Sequence, residues 1–345
     1  MRVLVTGSRG YIGTKLVKLL LDAGHAVEGL DSDLFRACTF FGELIDVPTI
    51  LKDVRDVEVD DLEDFDAIIH LAGLSNDPLG DYQPRLTDEI NHQASSRIAA
   101  LAKKAGVRRF LFASSCSNYG ASGENFLSED ADFNPVTPYG ESKVNVERSV
   151  SQLADDDFSP VFLRASTAYG MSPRIRFDLV LNNLTAWAFT TGRVYIKSDG
   201  SPWRPLVHVE DIGRAYLAAL EAPLEAVHNR AFNVGTTTEN YQVSELAELV
   251  ADVVPDCRVE YAPDAGPDAR CYRVDCNAIA RSLHGFKPQW TARRGVEELY
   301  DAYKRVGLTL EEFEGEKFMR IAHIKKLVSD GSLSTDLRWN PSKAA

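Results

Sequence analysis

A glycine-rich turn near residue 10 places the strongest constraint on how this chain folds. It follows the apolar run Arg2–Thr6 and precedes a helix-forming stretch, and its glycines recur every three residues: Gly7, Gly10 and Gly13. Glycine lets the backbone approach a pyrophosphate, whose charge then meets N–H groups and the positive end of the helix dipole. The place of the turn between a strand and a helix predicts a dinucleotide site that also includes Tyr11 and Ile12.

Through the first half of the chain, short apolar runs alternate with helix-length amphipathic stretches. The apolar runs are continuous, which is typical of parallel strands buried on both faces. They lie at 3–5, 26–30, 67–71 and 110–113, with helical stretches at 14–23 and 90–105. This rhythm predicts an α/β fold, a doubly wound parallel sheet of the Rossmann type with a smaller C-terminal substrate-binding lobe.

The pattern divides the chain into three regions. Residues 1–165 are predicted to form the dinucleotide-binding domain. Long loops appear in residues 166–314, so this region is predicted to build mainly the substrate lobe. Some of its segments are predicted to return to the sheet. Residues 315–345 form a C-terminal extension, a charged helical piece and a polar tail, for which the sequence suggests no function.

The second strand ends in a carboxylate that bears on the choice of cofactor. Asp31 lies about twenty residues after the glycine turn, where a carboxylate accepts hydrogen bonds from the adenosine ribose diol. Because an anion there repels a 2′-phosphate, NAD is favoured, and Arg36 nearby keeps NADP as the alternative. Asp53 and Val54 follow the next extended piece and are assigned to the adenine edge, with a solvated surface carboxylate as the competing interpretation of Asp53.

A tyrosine and a lysine stand four residues apart on a predicted helix. Tyr139 and Lys143 therefore share one helix face, and a neighbouring ammonium favours the phenolate. Such a tyrosine accepts the hydroxyl proton when an alcohol is oxidised. The strand at 110–113 runs into a series of hydroxyls at the sheet edge where open α/β sheets bind ligands, and Ser115 among them is a candidate for hydrogen-bonding the reacting oxygen.

The composition limits the partners and the compartment. A net charge of −13 argues against nucleic acid or an anionic membrane surface as the main partner. No apolar run approaches the roughly 18 residues that span a bilayer, and the first residues leave no room for a secretion signal, so a cytoplasmic location is expected. The five cysteines are scattered without a C-x-x-C pair, which predicts neither disulfides nor a metal site.

Several motifs together give the chain a specific resemblance. In chain order they are the glycine turn, Asp31, His70-Leu71-Ala72-Gly73, Asn91, the Ser-Ser-x-x-x-Tyr-Gly segment 114–120 and the Tyr139/Lys143 pair. This order resembles the extended short-chain dehydrogenase/reductase family, and within it the NAD-dependent nucleotide-sugar epimerases and dehydratases. The resemblance covers roughly residues 1–310 and implies a nucleotide-diphosphate sugar as substrate.

The resemblance assigns roles to the matching positions. It implies that Tyr139 is the general base, that Lys143 binds the nicotinamide ribose and lowers the pKa of Tyr139, and that Ser115 orients the sugar hydroxyl. It also implies that Leu71–Gly73 pack along the cofactor and that Asn91 supports the active-site helix. The proton-transfer group and the cofactor ligands therefore belong to one expected site.

The same resemblance assigns further positions to the substrate: Thr167, Asn183, Arg204 and Arg273. Arg204 matches a diphosphate-contacting arginine, and a bidentate arginine suits a pyrophosphate in an acidic chain; a solvated surface arginine is the competing interpretation. Arg270 and Arg273 both lie near the family's second phosphate-binding arginine, and Arg273 is preferred. Trp203 either stacks on a base or caps a loop.

Departures from the family pattern bear on the reaction. The 4,6-dehydratases carry an Asp-Glu pair where this chain has Cys116 and Ser117, so that elimination is not expected. An epimerase that keeps its NAD is the first hypothesis. A 4-ketoreductase that consumes NAD(P)H is the second and shares every catalytic residue. A non-catalytic dinucleotide-binding regulator is the third, disfavoured because a sensor needs no proton-transfer group.

Two helical stretches also suggest an assembly. Their apolar positions exceed what one core is expected to cover, and the resemblance implies that they form a four-helix homodimer interface. These positions are Ile98, Ala99, Leu101, Ala102, Val144, Val146, Val150 and Leu153.

Overall fold

The computed structural model describes residues 1–75, 77–266 and 270–343. Its strands are β1 (Arg2–Thr6), β2 (Ala26–Asp31), β3 (Thr49–Leu51), β4 (Ala67–His70), β5 (Arg109–Ser115), β6 (Ala121–Leu127), β7 (Ser159–Ala165), β8 (Thr167–Tyr169), β9 (Arg193–Ser198), β10 (Trp203–His208), β11 (Arg230–Val234), β12 (Asn240–Gln242), β13 (Arg258–Gly266) and β14 (Cys271–Val274).

The α-helices are α1 (Gly13–Asp22), α2 (Asp77–Tyr82), α3 (Pro84–Thr87), α4 (Ala94–Lys104), α5 (Pro138–Ser151), α6 (Val180–Thr191), α7 (Val209–Glu221), α8 (Leu224–Val227), α9 (Val243–Val253), α10 (Asn277–Ser282), α11 (Ala292–Val306), α12 (Leu310–Glu314) and α13 (Arg320–Ser329). Short 3-10 turns cover Val54–Asp56, Val59–Leu62 and Cys116–Tyr119, and a π-helical segment, Asp88–Gln93, joins α3 to α4.

A parallel sheet forms the centre of the molecule. Its order among the described strands is β11-β7-β5-β4-β1-β2-β3, and every neighbouring pair is parallel. The chain builds the sheet outward in both directions from β1, with β2 on one side and β4 on the other. Ligands of open α/β sheets bind at the carboxyl ends of the strands beside such a reversal. The predicted doubly wound Rossmann sheet is confirmed.

Both faces of the sheet are buried, because successive residues of a strand point to opposite sides. Leu4 packs in one apolar cluster, whereas its neighbours Val3 and Val5 pack in another, and Phe110 and Leu111 divide in the same way. Helices α4 and α5 cover the first face, and α1, α7 and α10 cover the second. This two-sided burial explains the continuous apolar runs in the sequence.

The C-terminal half builds a smaller lobe and also returns to the sheet. Helices α6, α9 and α11 pack with β9 around a core that includes Leu184, Ile196 and Leu246. Strand β11 leaves this lobe and pairs with β7 at the sheet edge. The C-terminal extension packs on the Rossmann half, where Ile324 and Leu333 join the cluster around Leu4.

The apolar positions assigned to a dimer interface are mostly buried within the chain itself. Those at most 2% exposed are Ile98, Ala99, Ala102, Val144, Val146 and Val150. Leu101 and Leu153 are half-buried. The core of a single chain therefore accounts for most of these positions, and the homodimer stays a prediction.

Candidate active site

A cleft of about 490 Å³ opens at the carboxyl ends of β1, β4 and β5. The sheet and α5 form one wall, and α6, β9 and β10 of the lobe form the other. The predicted site residues that line it are Ile12, Leu71, Gly73, Ser115, Tyr139, Lys143, Thr167, Asn183 and Arg204. The structure thus brings the predicted proton-transfer residues into one cavity with three of the four predicted substrate-binding positions, Thr167, Asn183 and Arg204.

The glycine turn is packed so closely against main-chain atoms that Gly7 and Gly13 admit no side chain, as expected of a turn that brings backbone N–H groups up to a pyrophosphate. Gly7 has a φ of +72°, and a Cβ there would lie 2.8 Å from a backbone nitrogen of the segment after β4. A Cβ on Gly13, where α1 begins, would lie 2.1 Å from the Gly7 carbonyl oxygen. The Gly10 N–H closes the turn by donating to that same oxygen at 3.0 Å. Tyr11 is buried, and its hydroxyl donates to a carbonyl of the loop after β8.

Asp31 and Asp53 lie at the ends of two neighbouring strands. The Asp31 carboxylate accepts two backbone N–H bonds, at 2.7 and 2.9 Å, yet its pKa is raised because burial outweighs those bonds. Asp53 caps a 3-10 turn and pairs with Arg55, whose Nη2 lies 2.6 Å from Oδ2. Burial would raise the pKa of Asp53, but the bonds from Arg55 hold it below its usual value. Val54 is buried in the core.

The segment after β4 is tied to the helix that carries Tyr139. Asn91 accepts the Leu74 N–H at 2.7 Å and donates to the Leu74 carbonyl at 2.9 Å. Its amide also donates to the Ser142 hydroxyl on α5 at 3.4 Å. The predicted cofactor segment Leu71–Gly73 and the start of α5 are therefore held in a fixed relation through Asn91.

Tyr139 and Lys143 lie one turn apart on α5. The helix begins there because the Thr137 hydroxyl accepts a first-turn N–H at 3.1 Å and Pro138 follows it. The Lys143 Nζ lies 5.5 Å from the centre of the Tyr139 ring. Burial lowers the pKa of Lys143 to about 8, against the opposing effect of the Glu147 charge. The ammonium thus acts on the phenol in a poorly solvated site, where charges interact strongly.

Two adjacent serines at the end of β5 have different surroundings. The Ser115 hydroxyl accepts the Ser117 N–H at 3.1 Å and donates to the Ser117 hydroxyl at 3.0 Å. The Ser114 hydroxyl donates to the buried Glu147 carboxylate at 2.5 Å. Glu147 also pairs with Arg164 at 2.7 Å, and both side chains are 6% exposed. Ser114 is therefore committed to a buried ion pair, and Ser115 offers its hydroxyl beside the cleft.

On the sugar side, Arg204 and Arg270 line the cleft, with the Arg204 side chain beside the main chain of Arg270. Arg204 is 8% exposed, and its Nη1 donates to the Trp203 carbonyl at 2.9 Å and to the Arg270 carbonyl. Arg270 itself lines the cleft, whereas Arg273 is outside the lining and lies between two rings, 4.0 Å from Phe126 and 4.2 Å from Trp203. Successive residues of an extended segment point to opposite sides. The register of β14 beside β6 therefore decides whether Arg273, on the strand, or Arg270, just before it, faces the cleft. Trp203 is the partner of an arginine in this arrangement.

Further cleft residues were not assigned from the sequence. Arg176 is buried and forms a bidentate pair with Asp178, at 2.6 and 3.1 Å. Burial acts to lower the pKa of Arg176, but Asp178 and, to a lesser degree, Tyr139 raise it above its usual value. Tyr272 and Lys197 also line the cleft. The long loop before α6 was the available signal, since such loops build substrate sites.

Cys116 and Ser117, which stand where the dehydratases carry two carboxylates, have different surroundings. Cys116 is fully buried, and its thiol lies 3.2 Å from the Arg164 carbonyl oxygen. Burial raises the pKa of this thiol to about 12. Ser117 lines the cleft. Neither residue supplies a carboxylate for eliminating water.

Two further features of the described residues bear on the site. They include no helix that combines the length and the apolar character needed to cross a bilayer. In the same part of the chain, no three His, Cys, Asp or Glu side chains are grouped as metal ligands.

The Rossmann sheet, the glycine cradle and the Ser-Tyr-Lys group at one cleft define a dinucleotide-binding redox enzyme. Residues 3–235 match the family described as the NAD dependent epimerase/dehydratase family, and the chain belongs to this family. The predicted family and its NAD cofactor are confirmed. The match ends before the C-terminal extension.

Individual relatives cover most of the chain. It is 32% identical over 321 residues to the UDP-glucose 4-epimerase of Mycolicibacterium smegmatis, covering 88% of this chain and 99% of the relative. It is 28% identical to that of Bacillus subtilis, covering 87% and 94%. Among solved structures, MoeE5 in complex with UDP-glucuronic acid and NAD has 28% identity and a TM-score of 0.75, covering 88% and 99%. The Thermus thermophilus UDP-glucose 4-epimerase with NAD has 25% identity and a TM-score of 0.73, again covering 88% and 99%.

Proposed function

We propose that this chain is an NAD-dependent epimerase of a nucleotide-diphosphate sugar. The observation that carries the proposal is the single cleft in which Ser115, Tyr139 and Lys143 face Arg204 and Arg270. An acid-base group and the two arginines Arg204 and Arg270 in one cavity suit a substrate with a reactive hydroxyl at one end and a diphosphate at the other.

The side chains divide the chemistry between them. Tyr139 accepts the proton of the sugar hydroxyl, and Ser115 orients that oxygen by a hydrogen bond. Lys143 stabilises the phenolate form of Tyr139. The glycine turn, Asp31 and Lys143 would hold NAD, which would supply the acceptor for the hydride of the carbinol carbon and, once reduced, the donor that restores that carbon with the opposite configuration. Tyr139 then gives the proton back, so that the reaction is balanced without an external reductant.

The lobe is proposed to hold the rest of the substrate. Arg204 and Arg270 offset the charge of the diphosphate, and Asn183 lines the same cleft. Thr167 is proposed to face the sugar. Arg176 brings no net charge to its wall, because Asp178 neutralises it. Arg270 thus takes the role for which Arg273 was preferred from the sequence.

The names of the relatives support a UDP-hexose as the first substrate to test. Several relatives are UDP-glucose 4-epimerases, and MoeE5 was solved with both UDP-glucose and UDP-glucuronic acid. The absence of a carboxylate at Cys116 and Ser117 disfavours dehydration of the 4,6 type.

The test combines cofactor content with product analysis. The purified protein is denatured, and any released nicotinamide and its oxidation state are identified. A panel of nucleotide sugars is then supplied while the absorbance of the reduced ring is followed and the products are resolved by NMR. Retained NAD, no net redox turnover and an inverted sugar carbon support the epimerase. Stoichiometric consumption of NAD(P)H on a 4-keto sugar would establish the ketoreductase instead.

The proposed assembly and location are separate predictions. A homodimer predicts twice the chain mass in light scattering at micromolar concentration, and a monomeric mass would contradict it. A cytoplasmic location stays a prediction from the sequence.

A further inference from the structure

The C-terminal extension, residues 315–343, contacts the segments that follow β2 and β3, where Asp31 ends its strand and Asp53 caps a 3-10 turn. An antiparallel bridge between Leu333 and Trp339 folds its last part into a compact turn. Leu333 and Leu337 are 2% and 3% exposed and pack in the same cluster as Val54. This turn is therefore docked on the adenosine side of the cofactor site by buried apolar contacts.

Trp339 holds the residue that follows Asp31. Its indole Nε1–H donates to the Ser32 carbonyl at 2.6 Å. The Arg36 guanidinium lies 4.3 Å from the centre of the indole ring. Because Ser32 is bonded directly to Asp31, the indole fixes the backbone that presents the predicted ribose-binding carboxylate.

A second set of contacts holds the turn that carries Asp53. Arg338 makes a bidentate pair with Asp56, and its Nη1 lies 4.0 Å from the Asp53 carboxylate. Arg55, the direct partner of Asp53, donates to the Asp336 carbonyl at 2.9 Å. The extension thus contacts the backbone after Asp31 and the turn that Asp53 caps, which we call the supports of the two carboxylates. These segments follow β2 and β3, which are neighbours in the sheet.

We propose that residues 336–339 are positioning residues for the adenosine half of NAD, and that they slow release of the cofactor by fixing the supports of Asp31 and Asp53. The proposal rests on the proposed function, because an epimerase must keep its nicotinamide while the sugar is a ketone. Loosening these supports requires local opening of the extension, which costs its buried contacts and hydrogen bonds.

The test uses the full chain and measures NAD release directly. Trp339→Phe keeps an aromatic ring over Arg36 and removes the donor to Ser32. Arg338→Gln removes the pair with Asp56. Lys326→Ala is the matched control, because it removes an exposed ion pair within the same extension. Each protein is loaded with NAD, freed of excess by gel filtration and followed while an external dehydrogenase traps the released NAD.

Trp339→Phe is expected to release NAD about tenfold faster, since a hydrogen bond at a partly buried site is lost. Arg338→Gln is expected to release it about threefold faster, because its pair is more exposed. The control is expected to release NAD at the wild-type rate, and the unfolding midpoints of both variants without NAD are expected to fall by no more than about 2–4 °C. Wild-type release rates in both variants would overturn the proposal, and so would equal acceleration in Lys326→Ala.

The two proposals fail separately in this design. A wild-type protein that retains NAD but converts no nucleotide sugar contradicts the epimerase alone, because release is measured without a sugar. Variants that release NAD at the wild-type rate from an active epimerase contradict the positioning role alone.

Discussion

The two walls of the cleft are built by different means. The cofactor wall depends on backbone geometry, as at Gly7 and Gly13, where an added Cβ would meet main-chain atoms within 3 Å. The sugar wall depends on long side chains, such as Arg176, Arg204 and Arg270. Main-chain atoms have no rotamers through which to yield, whereas side chains do. Substitutions in the cofactor wall should therefore cause a large loss of NAD affinity, and substitutions in the sugar wall should cause smaller, graded losses of sugar affinity.

The largest effect is expected at the proton-transfer group on α5. Tyr139→Phe removes the proton acceptor and should lower kcat by about 10²–10⁴-fold, while NAD content stays at the wild-type level. Steady-state kinetics and nicotinamide analysis of the same preparation check this. An unchanged kcat would show that the catalytic assignment of Tyr139 is wrong.

The abrupt behaviour of the cofactor wall is tested at Gly13. In Gly13→Ala the new methyl would lie 2.1 Å from the Gly7 carbonyl oxygen, so the turn must shift and NAD affinity should fall by about 10–100-fold. Gly285→Ala is the control, because its nearest contact is an ordinary 3.7 Å. Calorimetric titration with NAD measures both variants. Equal affinities for Gly13→Ala and the control would break the distinction between the walls.

The graded behaviour of the sugar wall is tested by a pair of arginines on β14 and the loop before it. Arg270→Gln should raise the KM for the nucleotide sugar about fivefold with little change in kcat, because a charge-assisted contact to phosphate is lost. Arg273→Gln should leave the KM unchanged, since Arg273 lies between Phe126 and Trp203. The opposite result would restore Arg273 as the phosphate ligand.

The smallest effect concerns pH. The pKa of Lys143 is lowered to about 8 by burial, and the cationic form is the one that supports Tyr139. Activity should therefore fall a few-fold as pH rises through 8, because the ammonium loses its proton. In Lys143→Arg the side chain stays charged, and this alkaline decline should disappear from the kcat profile even if the maximum is lower. A decline that persists in Lys143→Arg would assign it to another group.

The sequence predicts the backbone-built parts of the molecule well, for a physical reason. Glycine spacing, continuous apolar strands and a Tyr-x-x-x-Lys helix are local patterns, and each specifies a geometry that needs few distant partners. Ser115, Tyr139 and Lys143 accordingly reach one cleft from two separate elements. Within the helix predicted at 90–105, the α-helix spans only Ala94–Lys104; the residues before it belong to a π-helical segment, Asp88–Gln93, which periodicity did not indicate.

The remaining parts depend on contacts that the sequence does not reveal. Whether Arg270 or Arg273 faces the cleft depends on the register of β14 beside β6, strands that are far apart in the chain. The pairing of Arg176 with Asp178 and the docking of Trp339 on Ser32 likewise require the folded loops. Long side chains on loops adopt their positions only after tertiary packing, so spacing alone could not assign them.

The pairing of β11 with β7 limits where the chain can be cut into fragments that fold. A fragment ending at residue 165 would leave the outer edge of β7 without the partner strand that runs from Arg230 to Val234. The exposed row of N–H and C=O groups on an apolar strand is a template for pairing with other chains. Such a fragment is expected to aggregate, and translation must reach residue 234 before the nascent sheet can protect that edge.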